Sequence, residues 1–451
     1  MKLTHSIGIV IVTAAVIALA LLLKGDQDPM TPLAERYVKL VLALGQHDAD
    51  YVDAYYGPPA WKEDAERAKQ PLDAIDAEAH AVRDALRRVT LPADASELER
   101  LRLEYLTRQV EALGARVAML SGTRLDFDEE SKALYDAVAP THTEGEFEQT
   151  LQALDRELPG SGPLLARYEA FRARFIIPKD RLDATFRAAI DGCRRRTVQH
   201  VKLPSEETFT IEYVTGKSWS GYNWYQGHYR SLIQVNTDLP IYVDRAIDLA
   251  CHEGYPGHHV YNVLLEQNLV RDRGWTEFTI YPLFSPQSLI AEGTANYGID
   301  VAFPKAERRE FERNTIFPAA GLDPAQVDRY YDVQELVDRL SYAGNEAARR
   351  YLNGDFDRAA AADWLERFAL MSPPRAEQRV KFFDQYRSYV INYNLGKDLI
   401  AKHIDAETQG SSDPNRRWEA FVQLLSSPRL PSGLSGQPAA ADEDPGGAGQ
   451  P

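Results

Sequence analysis

The sequence predicts a mainly α-helical fold that carries one small antiparallel sheet. Apolar residues recur at helical spacing from about Thr31 to Ile400, and capping signals open several of these stretches. Strict alternation is confined to one stretch rich in glycine and aromatic residues, between Thr208 and Val235. Ser96-x-x-Glu99 has the form of a capping box. Leu101, Tyr105, Leu106, Val110, Leu113, Val117 and Leu120 follow it on one helical face, and Gly122 closes the segment. Amphipathic stretches over 147–158, 164–175 and 182–198 present core-facing stripes of the same kind. Phe209, Ile211 and Tyr213 alternate with polar residues, as do Leu232 or Ile233 and Val235. Gly216, Gly221 and Gly227 punctuate the strands, and Trp219, Tyr222, Trp224 and Tyr225 lie between them, either as sheet packing or as a cleft wall. Ser285-Pro286 supplies a cap and a first-turn proline for a helix that should end before Pro304.

The 451 residues and 44 % hydrophobic composition suffice for a large buried core. A formal charge of −16 with no basic stripe excludes nucleic acid as a partner. Lys2 precedes an unbroken apolar run from Ile7 to Leu23 that stops at Lys24 and Asp26. Residues 1–25 are therefore expected to form a transmembrane anchor, or a signal segment, that places the body outside the cytoplasm. The helical body is expected over 30–405. A disordered tail, rich in Gly, Pro, Ala and Asp, is expected over 428–451. The two cysteines, Cys193 and Cys251, are expected as separate buried thiols, although a pairing is open.

Chemistry concentrates at His252-Glu253-Gly254-Tyr255-Pro256-Gly257-His258-His259, which holds three of the ten histidines. Imidazole and carboxylate together suit zinc. Two histidines four apart on a helix would share a face, but here position 256 is proline. Pro256 breaks the helix and Gly257 frees the backbone, so a looped insertion can bring His258 to the second-ligand position beside His252. His259 is the alternative to His258, and whichever is left over would support the site or face substrate. Glu292, among the small residues of Ala291-Glu292-Gly293-Thr294-Ala295, is the third candidate ligand, set against its reading as an ordinary helix carboxylate. Those small neighbours would let its helix approach the metal segment. Asp300, two turns later, is a candidate for orienting a ligand histidine.

With these residues the chain resembles a large bacterial family known as domain of unknown function 885. Its hallmark is His-Glu-x-x-Pro-Gly-His-His followed later by Glu-Gly-x-Ala, present here at 252–259 and 292–295. The resemblance runs from about Leu33 to Ile400 and includes 158–164, Tyr386-Arg387 and Tyr393-Asn-Leu-Gly396. Many members carry a bulky aromatic where Thr294 stands here, which bears on substrate preference. The family is similar to helical zinc peptidases of the thimet oligopeptidase and carboxypeptidase Taq kind. That implies a deep central channel, a zinc held by two histidines and a glutamate, and hydrolysis of a peptide or small amide substrate.

On this reading Glu253 is the general base, taking a proton from the attacking water and passing it to the leaving amine. Tyr393 is the first choice to stabilise the oxyanion, as late tyrosines do in similar peptidases, with Tyr386 and Tyr389 as alternatives. Arg387 could grip a substrate carboxylate or form a salt bridge. The strand over 233–236 could offer its edge to an extended peptide. A zinc amidase or esterase acting on a cell-envelope component, and a non-catalytic anchored binding protein, are the competing functions.

Overall fold

Ser96 caps the helix Glu97–Leu120 as its sequence demands: the Ser96 hydroxyl accepts from the Glu99 amide, and the Glu99 carboxylate accepts from the Ser96 amide at 2.7 Å. The computed structural model describes residues 28–434, and these are mainly helical. The three expected amphipathic stretches are the helices Glu144–Glu157, Leu164–Ala173 and Leu182–Thr197. The expected anchor over 1–25 lies outside the described residues, and among those no helix is long and apolar enough to cross a membrane. Residues 428–434, expected to begin the tail, instead carry buried Leu430, Pro431 and Leu434 and end in the short helix Pro431–Leu434. The rest of the tail lies outside the described residues.

The core is continuous. The helix Thr31–Leu44 buries nine of its residues, Leu33 through Leu44, against the helices Leu72–Arg87 and Glu97–Leu120. One fully buried cation is paired: Arg102 donates to Glu277 at 2.5 Å and also meets Asp28. The closest helix pair is Pro286–Ala302 against Ile391–Glu407. Gly293 faces Gly396 there, and a Cβ on Gly293 would stand 2.5 Å from the Gly396 carbonyl carbon. The small residues around Glu292 thus serve chiefly this crossing. Gly298 on the same helix packs on Pro256, 3.1 Å from where its Cβ would be, so the metal segment is approached there too.

Two small sheets flank the helices. Strand β1 (Val52–Tyr55) pairs antiparallel with β5 (Ile280–Pro282). The second sheet holds β2 (Thr208–Val214), β3 (Gly221–Gly227) and β4 (Arg230–Asn236) in the order β2-β4-β3. The expected antiparallel pairing holds for β3 with β4, but β2 runs parallel to β4. After β2 the chain crosses to the far side before returning to the middle. Because β4 is central, both its edges are already hydrogen-bonded, and the expected peptide-binding edge at 233–236 is not free.

The β3–β4 turn is unusual in using His228 and Tyr229, at φ of 54° and 60°, where a two-residue hairpin of this hand normally takes Asn-Gly. Buried Glu266 holds it in place. Its carboxylate accepts from the His228 and Tyr229 amides, each at 3.2 Å, from the Tyr225 hydroxyl at 2.6 Å, and from Arg271 at 2.6 Å. Glu266→Gln is expected to lower the unfolding free energy by about 1.5–3 kcal/mol, the worth of hydrogen bonds to a charged group. Urea titration of the variant against the parent chain measures it.

Candidate metal centre

The helix Asp244–Leu249 continues into a π turn over Ala250–Gly254, closed by the Tyr255 amide donating to the Ala250 carbonyl at 3.2 Å. The Tyr255–Pro256 peptide is cis, and a new helix, His258–Leu265, begins two residues later. Gly257 makes the junction possible: a Cβ there would lie 1.9 Å from the His252 carbonyl oxygen. The backbone thus doubles back, and the two histidines meet from separate helical segments. Their Nε2 atoms stand 3.2 Å apart with ring planes at 87°.

Glu292 comes from the facing helix, Pro286–Ala302. Its Oε2 lies 3.2 Å from His252 Nε2 and 3.7 Å from His258 Nε2. The second oxygen, Oε1, accepts from the Tyr389 hydroxyl at 2.7 Å, which fixes the carboxylate and leaves Oε2 without a hydrogen-bond partner. The Asn296 amide donates to the Tyr393 carbonyl at 3.2 Å, so its Oδ1 faces His252 Nδ1 at 3.1 Å. Nδ1 must therefore carry the proton, and the Nε2 lone pair points at its two neighbours. Asn296 fills the orienting role expected of Asp300, which instead pairs with Lys397 at 2.7 Å.

Two imidazole nitrogens and a carboxylate oxygen converging this closely suit a bound cation. Bonds of about 2.05 Å to a tetrahedral ion would set neighbouring ligand atoms about 3.3 Å apart, close to the 3.2, 3.2 and 3.7 Å seen here. Electrostatics agree. Burial alone would push the His258 imidazole down, but the Glu292 carboxylate beside it and the charges of Glu253 and Asp53 bring it up to about 9, so the pocket favours positive charge. The residues fit zinc.

Glu253 follows His252 on the π turn and is buried, 4 % exposed. Its backbone carbonyl accepts from Asn223 of β3 at 2.6 Å. Its carboxylate rests on Gly221, where a Cβ would stand 2.5 Å from Oε1. Burial, and the Glu292 charge nearby, push the Glu253 carboxyl above its ordinary range against the pull of His252 and His258. Asp53 of β1, which nothing in its local sequence singles out, shares this environment. Burial raises its carboxyl to about 7 despite the Tyr222 hydroxyl.

His252, Glu253, His258 and Glu292 open on a cavity of about 840 Å³ that Tyr386, Tyr389 and Tyr393 also line. The three late tyrosines take different parts. Tyr389 is committed to Glu292, whereas Tyr386 and Tyr393 face the cavity. Thr294 does not line it: the residue is buried and its hydroxyl donates to the Ala291 carbonyl at 3.0 Å. Tyr222 and Trp219 do line it, so part of the aromatic cluster is cleft wall. Arg387 does not reach the cavity; it pairs with buried Glu130 at 2.7 Å.

His259 turns away from the cluster, as the next helical position must. It is fully buried, with Nδ1 2.9 Å from the Ser231 hydroxyl and Nε2 3.0 Å from Glu207. Both ring nitrogens are occupied, so the alternative ligand assignment fails, and neither does the ring face substrate. Glu207 also accepts from the Tyr255 hydroxyl at 2.7 Å and from Arg194 at 2.8 Å. Burial would raise the Glu207 carboxyl, but the hydrogen bonds from His259, Tyr255 and Arg194 overcome it and bring it to about 2. A depressed folded-state pKa stabilises above the unfolded value of about 4.3, and that gain is lost as pH falls toward 2. The stability gap between the parent chain and Glu207→Gln should therefore be widest near neutrality and shrink from about pH 4 downward, read as Tm across that range.

Cys193 and Cys251, expected as separate thiols, form a disulfide with Cα atoms 5.6 Å apart. It ties the helix Leu182–Thr197 to the residue before His252. Sequence could not show the proximity, because it depends on how two helices far apart in the chain pack.

No protein-family model matches the chain, and no curated protein matches it. Among solved structures it is similar to a "putative lipoprotein" from Colwellia psychrerythraea, with a TM-score of 0.51 at 14% identity over 82% of this chain and 70% of that one. The two share a fold. A Pyrococcus furiosus carboxypeptidase gives a TM-score of 0.44 at 11% identity over 91% of this chain and 95% of that one. An M32 carboxypeptidase from Deinococcus radiodurans gives 0.36 at 14% over 90% and 93%.

Proposed function

We propose that this chain is a zinc-dependent hydrolase of the peptidase kind, with His252, His258 and Glu292 holding the metal. The observation that carries this is the meeting of two imidazole nitrogens and one unpartnered carboxylate oxygen beside a buried glutamate, at the wall of a large cavity. The motif shared with the domain of unknown function 885 family supports it.

Zinc bound there would supply Lewis acidity and an acidified water. The chain's own residues do the rest. Asn296 holds His252 in one tautomer, and Tyr389 holds the Glu292 carboxylate. Glu253, buried against Gly221 at the cavity wall, has a proton affinity above that of an ordinary carboxylate, which suits a group that accepts a proton from water and returns it to an amine. Tyr393 would donate to a substrate carbonyl oxygen as charge builds on it, a role its place on the cavity wall beside Tyr386 supports.

The disulfide supports an exported body, since such bonds persist in oxidising compartments. Together with the apolar run at 7–23, it supports a protein held at or beyond the membrane.

Metal analysis and a peptide panel test the reading together. One zinc per chain, lost in His252→Ala, with amine released from at least one short peptide, is the expected result. Zinc without amine release, but with turnover of amides or esters built on cell-envelope components, would move the substrate class. Absence of stoichiometric metal would leave a binding protein.

A further inference from the structure

The cavity wall also carries guanidinium groups without ion-pair partners. Arg375 and Arg379 sit four apart on the helix Pro373–Tyr386, and both line the cavity, as does Arg172. Like charges at this helical spacing repel. Arg172 and Arg375 converge further on one ring, their guanidinium carbons lying 3.7 and 5.3 Å from the Tyr242 centroid. Arg379 stacks 5.8 Å over Tyr393, next to the metal centre.

The other cations of this cavity have carboxylate partners. Arg308 pairs with Asp248 at 2.7 Å, Lys397 with Asp300 at 2.7 Å, and Arg245 with Asp248 at 3.4 Å. Among the described residues, no carboxylate lies within ion-pair distance of Arg172, Arg375 or Arg379. The Nε atoms of Arg172 and Arg379 are buried without any hydrogen-bond partner, and Arg375 donates only to the Pro240 carbonyl, at 2.8 Å. Asp244 accepts from the Tyr330 hydroxyl at 2.7 Å, and against burial its charge and the rings of Tyr168, Tyr330 and Tyr242 favour the Arg172 cation, so Arg375 and Arg379 are the least compensated. Burial, and then Arg172 and Arg245 nearby, depress the Arg375 guanidinium below its usual range. Cations without ion-pair partners on one cavity wall are a site prepared for anions.

We infer that Arg172, Arg375 and Arg379 form a substrate subsite for a peptide whose terminal residue brings two carboxylates, an acidic residue with a free C-terminus. One carboxylate would leave part of the wall uncompensated. Two match it. The inference rests on the hydrolase reading for its chemistry but not for its binding.

The test uses zinc-loaded full-length protein and four peptides that differ only at the last residue: Glu, Gln, Glu α-amide and Lys. Glu is expected to exceed Gln and the α-amide by about tenfold or more in kcat/KM, with Lys lowest. In Arg375→Met and Arg379→Met the Glu-to-Gln ratio should fall toward one. That ratio does not depend on how much of a variant is folded. Equal rates for Glu and Gln, or a preference that survives both substitutions, would overturn the inference. Preference for the free α-carboxylate alone would overturn its two-charge part.

If no peptide is cleaved, glutarate and butyrate separate the two readings. Glutarate raising the Tm of the parent chain more than butyrate, with the difference lost in Arg375→Met, upholds the subsite while the hydrolase reading falls. No difference between the two acids would sink the subsite as well.

Discussion

Glu253→Gln should retain stoichiometric zinc and lose about 10²–10⁴-fold in turnover, the range that a positioned proton-transfer group contributes. The substitution keeps the shape that packs on Gly221, and it leaves untouched the three donor atoms of His252, His258 and Glu292. It removes only the ability to take a proton. Metal content by elemental analysis and initial rates on one peptide, measured on the same preparation, separate the two effects. Zinc lost in step with activity would make Glu253 a ligand and overturn its role as base.

The second large effect is graded. Glu292→Ala deletes one of three donors and is expected to weaken zinc binding by well over 100-fold. Tyr389→Phe and Asn296→Ala keep all three donors but free the carboxylate and the imidazole they hold, and each should weaken it by about 10–100-fold. Competition with a chromophoric chelator gives the order. If Tyr389→Phe matched Glu292→Ala, the tyrosine would be doing more than orienting. If it had no effect, the 2.7 Å bond to Oε1 would be incidental.

Much of this centre was written in the sequence, because His252, Glu253 and His258 fall within seven residues and the proline-glycine break explains their spacing. Glu292 was accessible for a related reason: a helix begun at Pro286 placed it among residues too small to cover it, although the Ser285 hydroxyl turns to the Pro282 carbonyl instead of capping that helix. Its orienting partners were harder. Asn296 follows Glu292 by four residues and so shares its face, a signal that was present, whereas Asp300, eight on, has drifted about 80° around the helix. Tyr389 could not be told from Tyr386 and Tyr393, since only the packing of two helices decides which hydroxyl meets the carboxylate. The parallel strand pair and the disulfide were likewise invisible, as both depend on where the chain returns after long excursions. Arg387 illustrates the converse. A striking-looking Tyr-Arg pair sits away from the cavity, while Arg375 and Arg379, in an unremarkable helix, line it.

The bare Gly293–Gly396 crossing has one more consequence. Where two helices touch backbone to backbone, no side chain can change rotamer to let them slide, so the pair moves as one body. That body carries Glu292 and Asn296 on one helix, and on the other Tyr393, with Tyr389 just ahead of its first turn. Any breathing of the cavity must then leave these four in register. The motion has to run through the walls that lack such a weld, the hairpin β3–β4 on one side and the arginine-bearing helix Pro373–Tyr386 on the other.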